Sequence, residues 1–419
     1  MNIIDANIGS AKDNMKSPVN NWYKFTAGFS YKLVDLIVDG MENKPNCIYE
    51  PFAGCGTTLV AAQKKRIHAV GNESQKIMCN VINAKLNWDI DRNVCASYLK
   101  LIFESLHERQ EHDNIETEYN KTLVSLYDNK TLRDLYLLRD EIFKIKQEKY
   151  RLFFELALSQ TLHKSSLYPI AVPYISRSKK QMHPGDACGK FATIVDKMLD
   201  DLSTMPHTKK TAEVYNVDSR KVNTSILTDS CDLCITSPPY LNNLDYGEVS
   251  KVPSHFFCIT NNWHDITEKV RHQLVTAATT HYNDSDFNLE EFSKCEFALC
   301  NKDIFIELEK LFSKIKENAN ARSGKKSFHI MMMHYFDDMY YVLKEMRRVL
   351  KEGSHAYLIL GDSAPYGVYV QTTQILGQIA ISVGFNEFSI SKIRTRGTKW
   401  KGLKYRHDIE LSENILELI

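Results

Sequence analysis

The chain has 419 residues, 43% of them hydrophobic and 25% charged, which is the composition of a folded globular protein and excludes disorder or a fibrous repeat as its main state. Fifty-three Lys and Arg face 52 Asp and Glu, so the net charge is +1 and any polyanionic partner has to be met by local patches. Ten scattered cysteines do not make a disulfide scaffold, and neither a secretory leader nor an apolar run of membrane-spanning length is evident, so a reducing, cytoplasmic setting is expected.

At about 150 residues per domain, the length suggests two to three folding units or one core with large insertions. FSYKLVDLIVDG, residues 29–40, predicts a helix with Phe29, Leu33, Leu36 and Ile37 on one face and Gly40 as its cap. CIYEPFAGCGTTLVAAQKK reads as strand, glycine-rich loop and helix. RIHAVGNESQKIMCNVINAKLN repeats that order, with a strand over His68 to Gly71, an acid at Glu73 and a helix from about Ser74. Two such units imply a parallel sheet with helical crossovers, a doubly wound α/β core. Residues 93–208 are charged, glycine-poor and spaced like helices, and are expected to form a helical insertion into a core made of 1–92 and 209–419. Strands are expected again at AEVYNVDS and CDLCITSPPY, followed by an irregular, partly helical stretch over about 241–330. DDMYYVLKEMRRVLKEG predicts an amphipathic helix with Met339, Leu343, Met346 and Leu350 on one face, leading into the apolar strand SHAYLILGDS.

Two strings carry chemistry. The loop from Glu50 to Thr58, EPFAGCGTT, sits between a strand and a helix, where glycines let a ligand approach the backbone and the helix start offers unpaired N–H groups. It lacks the lysine of a phosphate-binding P-loop and is not GxGxxG, so ATP and dinucleotides are both disfavoured. Glu73, at the end of the second strand, can accept hydrogen bonds from two ribose hydroxyls. The second string is Thr236-Ser237-Pro238-Pro239-Tyr240, where two prolines end a buried strand in a rigid turn that can hold a hydroxyl and carbonyls beside an aromatic ring.

Together these residues resemble the amino methyltransferases of DNA that use S-adenosylmethionine (AdoMet), a family that methylates the exocyclic nitrogen of cytosine or adenine. EPFAGCGTT looks like that family's cofactor loop and TSPPY is similar to its catalytic motif. NWYKFTAGFSYKLVDLI resembles the segment that closes over the methionine end of AdoMet, and VYNVDS the segment whose acid meets the adenine ring. LNNLDYGEVSK, LILGDSAPYGVYVQT and ELSENILEL are similar to a subgroup whose catalytic motif begins with Ser. The resemblance implies a Rossmann-like methyltransferase core. Its implied cofactor residues are Phe25, Glu50, Pro51, Phe52, Gly54, Gly56, Thr57, Thr58, Glu73, Asp218 and Thr236; its implied catalytic residues are Ser237, Pro238, Pro239 and Tyr240. The Ser237 hydroxyl and Pro238 carbonyl would accept hydrogen bonds from the amine, and Tyr240 would stack on a base flipped out of the duplex. Ser in the first position is more usual for N4 of cytosine and Asp for N6 of adenine, so cytosine is the expected base and adenine the alternative. Double-stranded DNA is the implied partner, in a restriction–modification setting with a separate endonuclease. Two features depart from the family pattern: Glu73 follows Asn72, and the helical insertion lies before the strand that leads to Asp218.

For the DNA surface, KIRTRGTKWKGLKYR carries seven basic residues and no acid over 392–406, interleaved with Trp400 and Tyr405. Arg394, Arg396, Lys399 and Trp400 are its chief candidates, with a solvated edge hairpin as the alternative. Arg177, Lys179 and Lys180 form a second cluster, and Tyr246 is assigned to the same side. Cys231 and Cys234 are expected in the core, no metal-ligand spacing is evident, and Met331 to His334 are expected to fill a helix interior. The rival from another class is a catalytically silent DNA-binding protein of the same fold.

Overall fold

The computed structural model describes residues 10–25, 28–112, 119–170, 175, 177–281, 287–320, 326–396 and 409–419. Its centre is a seven-stranded sheet of β1 (Cys47–Glu50), β2 (His68–Asn72), β3 (Ala212–Tyr215), β4 (Cys231–Thr236), β5 (Leu350–Gly361), β6 (Phe388–Arg396) and β7 (Leu411–Leu418), in the order β3-β2-β1-β4-β5-β7-β6. Strand β7 runs antiparallel to both neighbours, and the other pairings are parallel. The chain winds outward from β1 to β3, returns to β4 beside β1, and continues to β5. The order reverses between β1 and β4, which opens a crevice at the carboxyl ends of those strands. This is the expected Rossmann-like methyltransferase core.

The helices are α1 (Tyr31–Asp39), α2 (Thr57–Lys64), α3 (Lys76–Leu86), α4 (Arg92–His112), α5 (Lys121–Val124), α6 (Asn129–Phe143), α7 (Glu148–Ser165) and α8 (Ala187–Ser203). After β4 come five short helices, α9 (Tyr246–Val249), α10 (Lys251–Phe256), α11 (Trp263–Lys269), α12 (Leu289–Phe292) and α13 (Glu296–Cys300). The longer α14 (Lys302–Asn320), α15 (Phe328–Val349) and α16 (Thr372–Ser382) complete the set. Successive residues of β1 point to opposite faces of the sheet, and each face has its own core. Ile48 packs with Leu59, Ile82, Phe153, Phe154 and Phe191; Tyr49 packs with Phe312, Met332, Leu343, Ile375 and Leu416. Helices α4 to α8 share the first of these cores, with α7 lying against α3 and α8.

Local sequence explains most boundaries. Ser30 accepts a hydrogen bond from the Lys32 amide to start α1, and Gly40 donates to the Leu36 carbonyl to end it. The buried face of α1 differs by one position from the expected one: Leu33, Val34, Ile37 and Val38 are inside, while Leu36 is 41% exposed. Leu350 likewise leaves the predicted helix face. Its extended backbone (ψ 138°) begins β5, which pairs with β4 from Cys231 onward. No helix among the described residues is long and apolar enough to cross a membrane.

Candidate active site

A cleft of about 780 Å³ lies at the carboxyl ends of β1, β2 and β4. Of the residues named from the sequence, Phe25, Glu50, Pro51, Phe52, Gly54, Thr57, Glu73, Asp218, Ser237, Pro239 and Tyr246 line it. Gly56, Thr58, Thr236, Pro238 and Tyr240 are not among the lining residues.

On the β1–β2 side the loop after β1 is held by its own neighbourhood. The Glu73 carboxylate accepts from the amides of Gly54 (2.9 Å) and Gln75 (2.8 Å), tying the loop to the end of β2. Gly54 and Gly56 both have left-handed backbone, with φ of 53° and 83°. A side chain on Gly54 would meet the Phe25 ring, and one on Gly56 would meet Ile82 of α3, so both positions also demand close packing. Thr58 donates to the Ile235 carbonyl (3.4 Å) and is fully buried. Asn14 donates to the Phe29 carbonyl and Thr57 hydroxyl, which fastens the N-terminal segment over the start of α2. The buried Lys85 amine donates to the Cys55 carbonyl (3.0 Å) from below.

Two acids in this half are chemically unusual. Glu50 is 1% exposed, and neither of its oxygens has a hydrogen-bond partner of good geometry. Burial pushes its carboxyl up to about 8, opposed by the nearby hydroxyls of Thr58 and Thr236. Glu73 is pushed up to about 7 by burial, against the two amides it accepts. A buried carboxyl beside a cleft with no cation of the protein to offset its charge fits a cationic group of a ligand, and AdoMet carries an ammonium as well as ribose hydroxyls.

On the β4 side the Ser237 hydroxyl donates to the Ile359 carbonyl of β5 (3.0 Å). Its proton is thereby directed into the sheet, and its lone pairs remain for a donor in the cleft. Tyr240 departs from the expected stacking role. Its hydroxyl donates to Glu413 (3.1 Å), and the Arg396 guanidinium lies 4.9 Å from its ring centre. Glu413 is 3% exposed and pairs with Arg394 at 2.5 Å. Arg394 and Arg396, read from sequence as DNA contacts, are therefore engaged on the buried side of the catalytic motif, because β6 pairs with β7 and carries both toward Tyr240. Lys399 and Trp400 lie outside the described residues. Arg177, Lys179 and Lys180 are exposed, with Arg177 bonded to the Ser125 hydroxyl.

The outer wall joins Asp218 and Tyr246 to Gln273, Leu274 and Val275, which carry no sequence signal. Asp218 faces the cleft but is gripped bidentately by Arg220 (2.9 and 2.8 Å). Arg220 also bonds Asp338 of α15, which accepts from the amide and hydroxyl of Thr276 (both 2.8 Å). That chain of contacts brings Gln273, Leu274 and Val275 to the cleft. Behind Tyr246, the buried Arg271 pairs with Asp245 and Glu248 and stacks on Trp263 at 3.9 Å. Tyr246, assigned from the sequence to DNA binding, lines the cleft. Gln75, which bonds Ser250 and the Tyr246 carbonyl, joins the two halves of the cleft.

Residues 27–164 match the family model of the D12 class N6 adenine-specific DNA methyltransferases. The chain is also similar to the Type II methyltransferase M.BsoBI of Geobacillus stearothermophilus, at 20% identity over 92% of this chain and 82% of that protein. It is similar to the Type II methyltransferase M.AvaI of Nostoc sp. (strain PCC 7120), at 23% identity over 90% of this chain and 81% of that protein, and M.AvaI of Anabaena variabilis matches to the same extent. The expectation of cytosine is not what the matched family describes, which is adenine N6. The match ends at residue 164, before the catalytic motif, so it rests on the loop, β2 and the helices rather than on Ser237. The chain is thus similar to DNA methyltransferases, by family model over residues 27–164 and by its Type II relatives over about nine-tenths of its length.

Proposed function

We propose that this chain transfers a methyl group from AdoMet to an exocyclic amino nitrogen of a base in double-stranded DNA, as the methylating partner of a restriction–modification pair. The observation that carries the proposal is the convergence of Glu50 and Glu73 with Ser237, from opposite sides of the strand reversal, on one cleft. The matched family favours N6 of adenine as the acceptor. A second reading, N4 of cytosine, rests on Ser237 in place of an acid in the catalytic motif.

AdoMet, when bound, supplies an electrophilic methyl group on a sulfonium. Glu50 and Glu73 are the residues to hold its ammonium and ribose hydroxyls, and Phe25 covers the loop beneath them. The amine of the base is a weak nucleophile because its lone pair is delocalised into the ring. With its O–H donated in a hydrogen bond to the Ile359 carbonyl, Ser237 can accept a hydrogen bond from the amine and keep electron density on nitrogen. Pro238 and Pro239 hold that hydroxyl in place, and no covalent enzyme intermediate is required. The base has to leave the helix to reach the cleft.

The test is sequencing of DNA from cells expressing the chain, scored for N6-methyladenine and N4-methylcytosine against an empty control. A motif carrying N6-methyladenine supports the first reading, and one carrying N4-methylcytosine replaces it with the second. Absence of either mark, with AdoMet bound by the purified protein, overturns the proposal.

A further inference from the structure

A second cavity of about 280 Å³ lies between the N-terminal segment and the end of α7. It is no part of the cofactor cleft, but the two share a wall, since Tyr23 and Lys24 run directly into Phe25, which covers Gly54. Two of its lining groups are polar, buried and unsatisfied: the Tyr23 hydroxyl, on a residue 4% exposed, and Nε2 of His163. The two rings lie 6.3 Å apart. Such groups cost stability unless a ligand meets them. Burial and the nearby Lys24 hold His163 down to about 4, so the imidazole is neutral and can donate through Nε2.

The two segments that line this cavity are one-sided in charge, while α8 behind them carries acids such as Asp201, which accepts from the Trp22 indole. Residues 14–34 and 156–185, which meet here, contain no Asp or Glu. Lys24 and Lys164 line the mouth and make no ion pair among the described residues, and Arg177, Lys179 and Lys180 follow on the exposed loop. Desolvation and the neighbouring Lys197 and Lys190 lower the pKa of Lys164. Pro169 and Ile170 supply an apolar wall.

We propose that this cavity receives a phosphodiester of the substrate duplex, with Tyr23 and His163 donating to its oxygens, Lys24 and Lys164 neutralising it, and Pro169 and Ile170 against the adjoining deoxyribose. The inference rests on the reading of the chain as a methyltransferase of duplex DNA. It assigns backbone contact to the α7 side of the cleft instead of the β6 arginines, and it makes DNA binding and the positioning of Phe25 neighbouring events.

The test uses the full chain and a fluorescent duplex of random sequence, titrated over a series of KCl concentrations. The double variant Lys24→Ala/Lys164→Ala should bind the duplex roughly tenfold more weakly at low salt, with the slope of log affinity against log salt reduced by about 2. Its AdoMet affinity should match the unaltered protein, which also shows that it folds. Tyr23→Phe separates a filled site from a void. Removing an unsatisfied buried hydroxyl should leave thermal stability equal or higher, while duplex affinity falls roughly threefold. Unaltered affinity and slope in both variants, in a protein that methylates DNA, would overturn this inference alone. A chain that neither binds nor methylates duplex DNA would overturn the functional reading and this one with it.

Discussion

On the β1–β2 side of the cleft, Glu50, Gly54, Glu73 and Gln75 come from one short stretch of chain, and the Glu73 carboxylate ties the loop to the end of β2 within it. On the β4 side, Ser237 depends on Ile359, and Tyr240 depends on Glu413 and Arg396. The first wall is a local device, complete once β1, β2 and their helices form. The second exists only after β5, β6 and β7 have closed the far side of the sheet. A ligand bound by the first wall should therefore tolerate damage to the second, whereas group transfer needs both.

The largest effect that would separate the walls is expected from Glu73→Ala. Loss of a buried carboxylate that organises the loop and offers bonds to ribose should weaken AdoMet binding by about 10- to 100-fold, measured by calorimetry. Ser237→Ala should lower turnover by at least about tenfold while AdoMet affinity stays within about twofold, because only the acceptor wall is altered. Equal turnover would remove the assigned role from Ser237. Next in size is Arg394→Ala. The sequence alone predicts a flatter salt dependence of DNA binding for this change, but the ion pair with Glu413 predicts an intact salt slope and a stability loss of about 1–3 kcal/mol, since Glu413 is left buried without its counter-charge. Denaturant melts and salt titrations of the same variant decide between the two.

The smallest effect depends on pH. Glu50 holds its proton in the folded chain up to about pH 8, whereas in the unfolded chain it releases it near its ordinary value of 4.5. Across that window the folded state binds more protons, so this group's contribution to stability falls as pH rises. Glu50→Gln should therefore be more stable than the unaltered chain at pH 8 and lose that advantage toward pH 5, as thermal melts at the two pH values would show. The same variant should bind AdoMet less well if the carboxylate receives the ammonium. A pH-independent difference would mean that Glu50 is charged in the folded chain and has a partner.

The parts legible in the sequence were those whose physics is local. EPFAGCGTT announces a strand, a loop with left-handed glycines and a helix start, and the structure has that order, because a positive φ at Gly54 and Gly56 is a property of the residue itself. The alternation of apolar runs with helical spacing was enough for a doubly wound core. At α1 the same periodicity put Leu36 inside, and packing chose Val34 and Val38 instead, since several faces of a short apolar helix satisfy the pattern.

What the sequence by itself determined is thus the order of strands and helices, the glycine loop and the presence of a Ser-Pro-Pro-Tyr turn. Only the tertiary structure decided what those groups face. It turned Arg394 and Arg396 of β6 toward Glu413 and Tyr240, brought Gln273 to Val275 to the cleft through Arg220 and Asp338, and left the Tyr23 hydroxyl and His163 Nε2 buried without hydrogen-bond partners. The physical reason is that composition and spacing record what a residue can offer, such as a charge, a hydroxyl or an apolar surface. Which partner answers it depends on side-chain contacts between segments more than a hundred residues apart, such as Tyr240 with Glu413 and Arg220 with Asp338.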